Sequence, residues 1–269
     1  MKTKIALRIL GHKAPDFDVK VFERWKSKLW ELHEGSIDTL PLNGEADLPD
    51  WGYSDAALAD RAICKQGADL TICILNVPLE DNYYFRRIDR NLACASLFEI
   101  GEVLRGHNIP VENFVFRMIY SCTLIYARKK YLPPILEIAT YTHHETKGCI
   151  FDMTGIKTDV SFSCDRPILC GMCRVDASAN SVTKEFLDTY ELEISKIEKR
   201  LYFQITDLIK RRPILAILLS STLALLIGTL GSLVASIIYE KFKEPSQAID
   251  STAIRTISPE EQEPSSSHP

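Results

Sequence analysis

The sequence predicts an α/β domain with a mixed sheet and flanking helices, followed by a cysteine-rich module, a long helix and a single transmembrane helix. In the first half, short β-rich apolar runs alternate with stretches whose apolar residues recur at helical spacing. Later, a charge-free apolar segment is long enough to cross a hydrocarbon core of about 30 Å. We therefore expect five regions, namely an α/β domain at 1–142, a cysteine-rich module at 143–180, an amphipathic stalk helix at 181–212, a transmembrane helix at 213–238 and a disordered acidic tail at 239–269.

Strands and helices alternate within the predicted α/β domain. Hydrophobic periodicity predicts, in chain order, a strand at 4–10, a helix at 18–33, a helix at 54–67, a strand at 68–77, a strand at 93–100 and a helix at 111–131. The second helix is expected to have Ser54 as its N-cap and Gly67 as its C-cap, since these residue types favour those positions.

A polar loop at 78–90 follows the second predicted strand. Loops after the strands of α/β sheets often form binding sites, because the sheet positions them rigidly. Glu80, Asn82 and Arg86 are therefore candidate binding residues. A solvated loop with internal Arg/Asp pairs is the alternative explanation of the same composition.

The cysteines fall into two classes by their surroundings. Those that lie in apolar runs are expected to pack in the core: Cys64, Cys73, Cys94 and Cys122. The CGMC run from Cys170 to Cys173 instead places two thiols on one tight turn, so that both can bind one tetrahedral zinc ion. Candidates for the remaining ligands are His143, His144, Cys149 and Cys164. The spacing indicates one structural zinc site per chain, with three cysteines and one histidine.

The pattern H-x4-C-x20-C-x2-C is formed by His144, Cys149, Cys170 and Cys173. It resembles the four-cysteine zinc site of the archaemetzincins, C-x4-C-x-M-x17-C-x2-C, with His144 in the place of the first cysteine. The resemblance covers roughly residues 65–175. It implies a metzincin-like domain that holds a structural zinc ion through these four residues, with Cys164 as the alternative fourth ligand.

The catalytic motif of that family, HExxHxxGxxH, is not present in this sequence. His143 falls where the family has its third catalytic ligand, but Pro133 and Glu137 stand at the positions of the other two histidines, and Pro134 at that of the glutamate. Phe151 replaces the methionine of the cysteine pattern. The resemblance thus implies a catalytically degenerate domain. A membrane-tethered zinc-dependent hydrolase or peptidase, with His143, Glu137 and a loop carboxylate around a second metal, is the competing interpretation.

Small residues recur at every fourth position of the predicted transmembrane helix. Such a ridge lets two helices approach closely, and we expect a homo-oligomer formed through this helix or through the stalk. A passive anchor is the alternative. The ridge consists of Ala216, Ser220, Ala224, Gly228, Ser232 and Ser236.

The distribution of charge along the sequence predicts the orientation of the chain in the membrane and limits the class of its ligand. Lysine and arginine are more frequent before the span than after it, so the positive-inside rule predicts a cytosolic N-terminal domain and an external tail. A net charge of −4, with no basic footprint, argues against nucleic-acid binding. We expect a single-pass membrane protein with a cytosolic binding or signalling domain of the effector or sensor type, whose ligand is an unknown protein or small molecule.

Overall fold

The computed structural model describes residues 2–134, 137, 141–144 and 146–243. The chain divides into two compact units, Met1–Gln204 and Ile205–Pro269. In the first unit, helices flank a mixed sheet, which confirms the predicted fold class. The cysteine-rich segment shares the hydrophobic core of the sheet, because Cys149, Ile150 and Phe151 pack in the same buried cluster as the strands.

The inner strands of the sheet are buried. Its five strands are β1 Thr3–Leu10, β2 Trp30–Leu40, β3 Leu70–Leu75, β4 Phe85–Asp89 and β5 Leu92–Ser96. Their order is β2-β1-β3-β5-β4, and all neighbours are parallel except β4 and β5. β3 is buried along its whole length and β1 along nearly all of it, as expected of strands covered on both faces.

One long helix occupies the centre of the first unit. The helices are α1 Lys20–Arg24, α2 Asp55–Arg61, α3 Ile100–Gly106, α4 Val111–Lys129, α5 Val160–Ser163, α6 Gly171–Ala179, α7 Lys184–Ile194, α8 Leu201–Arg211 and α9 Pro213–Lys243. Every residue of α4 from Val111 to Ile125 is buried. Its Phe116 ring packs 4.6 Å from Phe22 and 4.4 Å from Trp25, measured between ring centroids.

Most predicted elements are found. The strands expected at 4–10, 68–77 and 93–100 correspond to β1, β3 and β5, and the helix expected at 111–131 is α4. Ser54 caps α2 as predicted, since its hydroxyl accepts a hydrogen bond from the Ala57 amide at 3.1 Å. That helix ends at Arg61 and does not reach Gly67.

The helix predicted at 18–33 is wrong for most of its length. Only α1 is helical, and the chain then turns to form β2 beside β1, with Trp30 opposite Thr3. Ser27 stabilises the turn, because its hydroxyl accepts hydrogen bonds from the amides of Leu29 and Trp30. Tertiary strand pairing thus overrides the helical periodicity of this segment.

The loop predicted at 78–90 contains a strand. β4 runs antiparallel to β5 along the edge of the sheet, and its Arg86 and Arg87 are buried. The sequence did not predict this strand because charged side chains are rarely buried, so that a run of them is typical of a loop.

The single stalk helix expected at 181–212 is divided into α7 and α8. The apolar stripe of α7 packs on the domain, where Leu187, Tyr190 and Ile194 are buried. Buried hydrogen bonds hold it there, since the Tyr190 hydroxyl donates to the carbonyl of Tyr120 at 3.1 Å. α7 is therefore part of the core of the first unit.

Within the described part of the second unit, the longest element is the apolar helix α9. Pro213–Phe242 is long and apolar enough to be a candidate membrane span, and none of its most apolar stretch is buried. The span expected at 213–238 lies within it, and the helix continues to Lys243. The rest of the predicted tail, 244–269, lies outside the described residues.

Candidate metal centre

Two turns bring the predicted cysteine ligands together. Cys149 follows a turn at Gly148, whose φ of +92° favours glycine, and the Cys149 amide donates to the carbonyl of Thr146 at 2.9 Å. Cys170 is the N-cap of α6, and Cys173 lies in the first turn of that helix. A bridge between Cys149 and Ile168 holds the two segments side by side.

A histidine completes the group. The ligand atoms of His143, Cys149, Cys170 and Cys173 all lie within 4.8 Å of one another. His143 Nε2 lies 3.3 Å from the Cys149 sulfur and 3.5 Å from that of Cys170, and the Cys149 and Cys173 sulfurs are 3.9 Å apart. A tetrahedral zinc ion, with bonds of about 2.3 Å to sulfur and about 2.0 Å to nitrogen, separates two sulfurs by about 3.8 Å and a nitrogen from a sulfur by about 3.5 Å. The four residues are therefore close enough to hold a zinc ion.

The surroundings favour the thiolate form of Cys149. Hydrogen bonds from the Cys173 thiol, the backbone amides of Cys170 and Phe151, and His143 outweigh burial and lower the pKa of Cys149 to about 5. The Cys173 amide likewise points to the sulfur of Cys170, at 3.5 Å. Because thiolate is the form that binds metal, Cys149 is prepared for a zinc ion, whereas its hydrogen bond raises the pKa of Cys173, whose proton a bound ion would displace.

The histidine in this group is His143, where the sequence predicted His144. The His143 amide donates to the carbonyl of Phe151, and its own carbonyl accepts from the Met153 amide, so this residue pairs with the neighbouring segment as in a sheet. Successive side chains of such a paired segment point to opposite sides. His143 therefore faces the cysteines, whereas His144 is exposed.

Cys164, the predicted alternative ligand, lies outside the group. It is fully buried, and burial raises its pKa to about 12, so that it remains a neutral thiol. Three of the cysteines assigned to the core, Cys73, Cys94 and Cys122, are also fully buried, and Cys64 is half-buried.

The candidate binding residues of the 78–90 segment are engaged in internal contacts. Arg86 donates to both carboxylate oxygens of Asp55, at 2.7 and 2.5 Å, which ties β4 to α2. The Glu80 carboxylate accepts from the Asp55 amide at 2.8 Å, and Asn82 accepts from Lys157 at 2.6 Å. In this structure the three residues stabilise the fold around β4.

A second metal site is not found among the residues that the structure describes. The competing enzyme interpretation needs His143 and Glu137 around such a metal, but His143 belongs to the cysteine group and Glu137 is exposed.

Comparison with protein-family models and with curated proteins finds no match. Among solved structures, the chain is similar to the crystal structure of archaemetzincin from Methanopyrus kandleri, at 16% sequence identity and a TM-score of 0.43. The match covers 66% of this chain and 95% of that one.

Proposed function

We propose that this chain is a single-pass membrane protein whose N-terminal unit is a non-catalytic binding or signalling domain with a structural zinc site. The observation that carries the proposal is the closed ligand set of three cysteines and one histidine. Four protein ligands fill the tetrahedral coordination of zinc, whereas catalytic zinc sites keep one position open for water or substrate.

The surroundings of the ligands support a structural role. Cys149 is fully buried, and the residues that follow it, Ile150 and Phe151, belong to the hydrophobic core. A zinc ion here would connect the 143–152 segment to the N-terminus of α6. Because metal binding to such a site occurs only in the folded chain, its binding free energy adds to the stability of the fold.

The zinc-dependent hydrolase is the less favoured function. Its proposed ligand His143 is used by the closed group, and the position of its general base holds Pro134. A zinc ion with four protein ligands holds no water molecule for attack on a substrate.

The membrane location rests on α9. Its length and composition support a membrane span, and the excess of lysine and arginine on its N-terminal side supports a cytosolic position for the first unit. Both features support a binding domain that is anchored to a lipid bilayer.

The test is the metal content of the full chain purified in detergent. We expect one zinc ion per chain, and we expect Cys173→Ser to lose the ion and to lower the unfolding temperature. Asp60→Asn, at an exposed position of α2, serves as the control that keeps both. Two zinc ions per chain, or peptidase activity that requires zinc, would contradict the proposal.

A further inference from the structure

A small cavity lies between the edge strand β4, the long helix α4 and the segment that carries the metal ligands. Its volume is about 80 Å³. Much of its wall is apolar or aromatic, with contributions from Tyr84, Met118, Ile125 and Phe151. A volume of this size has room for roughly five water-sized groups, which matches a very small organic molecule.

Two buried arginines also line this cavity. Arg87 of β4 is 8% exposed and Arg117 of α4 is 2% exposed. Nη2 of Arg87 and Nε of Arg117 have no hydrogen-bond partner among the described residues. A buried guanidinium donor without an acceptor lowers the stability of the fold, because the donor loses its hydrogen bond to water on folding and gains no hydrogen bond within the protein.

The other donors of Arg117 show how such a group is normally satisfied. Its Nη2 donates to the carbonyl of Asp152 at 2.8 Å, and its Nη1 donates to the Tyr84 hydroxyl at 3.3 Å. These contacts fix the guanidinium in the cavity wall and leave Nε for an additional acceptor.

The neighbouring Arg86 and Arg87 of β4 differ in whether a carboxylate pairs with their guanidinium group. Arg86 is paired with Asp55, and this carboxylate raises the pKa of Arg86 despite its burial. Burial lowers the pKa of Arg87, and the nearby Cys122, Tyr141 and Glu137 do not offset it. The charge of Arg87 is therefore insufficiently compensated within the protein.

The charges of the described lining residues indicate the ligand's charge. They comprise the two arginines and the carboxylate of Asp152, and the carboxylate of Glu137 acts on Arg87 from nearby, so these four charges balance. Asp152 is itself occupied in part, since it accepts from the Thr154 amide at 3.0 Å. The attraction for a ligand therefore comes from the unpartnered guanidinium donors, and a monoanion brings less surplus negative charge into this mostly apolar space than a dianion does.

We propose that the cavity binds a small organic monocarboxylate, whose oxygens accept from Arg87 and Arg117 and whose short carbon chain packs on the apolar wall. Guanidinium donors match carboxylate oxygens in geometry and charge. The inference rests on the proposed binding function and assigns its ligand class.

The test is the unfolding temperature of the full chain in detergent, measured against increasing concentrations of acetate, propionate and butyrate. We expect a saturable rise with at least one of these acids, and no rise with propionamide, which has the size of propionate without its charge. A larger rise with inorganic phosphate or sulfate than with the acids would overturn the carboxylate assignment.

Arg87→Met separates a ligand-binding arginine from a structural one. We expect this variant to unfold at the same or a higher temperature without ligand, because an uncompensated buried charge is removed, and to bind the acid at least tenfold more weakly. Arg90→Gln removes an equal charge at an exposed position close by and should leave binding unchanged. Unaltered binding in Arg87→Met would overturn the proposal.

The zinc content of each sample distinguishes the two proposals. One zinc ion per chain together with no response to any acid overturns the ligand assignment alone. Two zinc ions per chain contradict the proposed function, whatever the acids do.

Discussion

A single residue decides the ligand set of the metal centre. His143 and His144 are adjacent, and the spacing of the archaemetzincin pattern selects His144, yet the backbone pairing of His143 with the 151–153 segment turns His143 toward the sulfurs. A shift of one position in an extended segment moves a side chain to the opposite side. Sequence spacing alone does not contain this information when two histidines stand in a row.

The adjacent histidines provide a matched pair for experiment. We expect His143→Ala to bind zinc at least tenfold more weakly and to unfold at a lower temperature, because the tetrahedral site loses one of its four ligands. His144→Ala should keep the affinity and the stability of the unaltered chain. Zinc affinity is measured by competition with a chromophoric chelator. Loss of zinc in His144→Ala with retention in His143→Ala would restore the ligand predicted from the sequence.

At the scale of elements, charged pairs fix edge strands that hydrophobic periodicity does not specify. β2 is joined to β1 by Asp38, whose carboxylate accepts from Arg8 at 2.7 and 2.8 Å, and β4 is joined to α2 by Arg86 and Asp55. The sequence did not predict either edge strand: the start of β2 was expected to be helical and β4 to be a loop. The charged partners, Arg8 with Asp38 and Arg86 with Asp55, are 30 and 31 positions apart, so hydrophobic periodicity does not reveal them.

The Arg8–Asp38 pair predicts a pH-dependent contribution to stability. Burial raises the pKa of Asp38, but the hydrogen bonds and charges of Arg8 and Lys65 lower it by more than burial raises it. The pKa of Asp38 is therefore lower in the folded chain than in the unfolded chain. The contribution is therefore present above about pH 4, where the unfolded group ionises, and is lost as the pH falls through the folded pKa. We expect Asp38→Asn to lower the free energy of unfolding by about 1 kcal/mol at pH 7, since the pair is partly exposed.

The free energy of unfolding is measured at several pH values by chemical denaturation of the full chain in detergent, with tryptophan fluorescence as the signal. The variant and the unaltered chain should converge near the folded pKa and below it. Asp60→Asn is the control, because Asp60 is exposed and should show no such dependence. A stability difference that persists unchanged into acid would exclude the ion pair as its cause.

At the scale of the whole molecule, the two units differ in what stabilises them. The core of the first unit has two clusters: the larger includes part of the sheet, α4, α7 and the cysteine-rich segment, and the smaller includes α2 and other residues of the central strands. The long helix of the second unit, α9, exposes its large apolar side chains along its whole length, which is favourable only in an apolar environment. A lipid bilayer supplies such an environment.

Reporter fusions test the orientation of the chain. With the span in a membrane and the first unit in the cytosol, a reporter fused after Pro269 should be active only if it functions outside, and one fused before Met1 only if it functions inside. A C-terminal reporter that functions in the cytosol would reverse the proposed topology. Self-association through the Ala216–Ser236 ridge stays a prediction, which crosslinking of Gly228→Leu in membranes checks.

The sequence by itself determined the α/β class, the apolar span and the three cysteines of the metal centre, because each depends on a local run or spacing of residue types. Only the tertiary structure decided the fourth ligand, the two edge strands, the position of α7 in the core and the arginine-lined cavity. These features arise from backbone pairing and from contacts of charged side chains, several of them between residues far apart in the chain, such as Arg8 with Asp38 and Arg117 with the carbonyl of Asp152. Local periodicity records which side chains are apolar, but not which distant backbone or charge they meet.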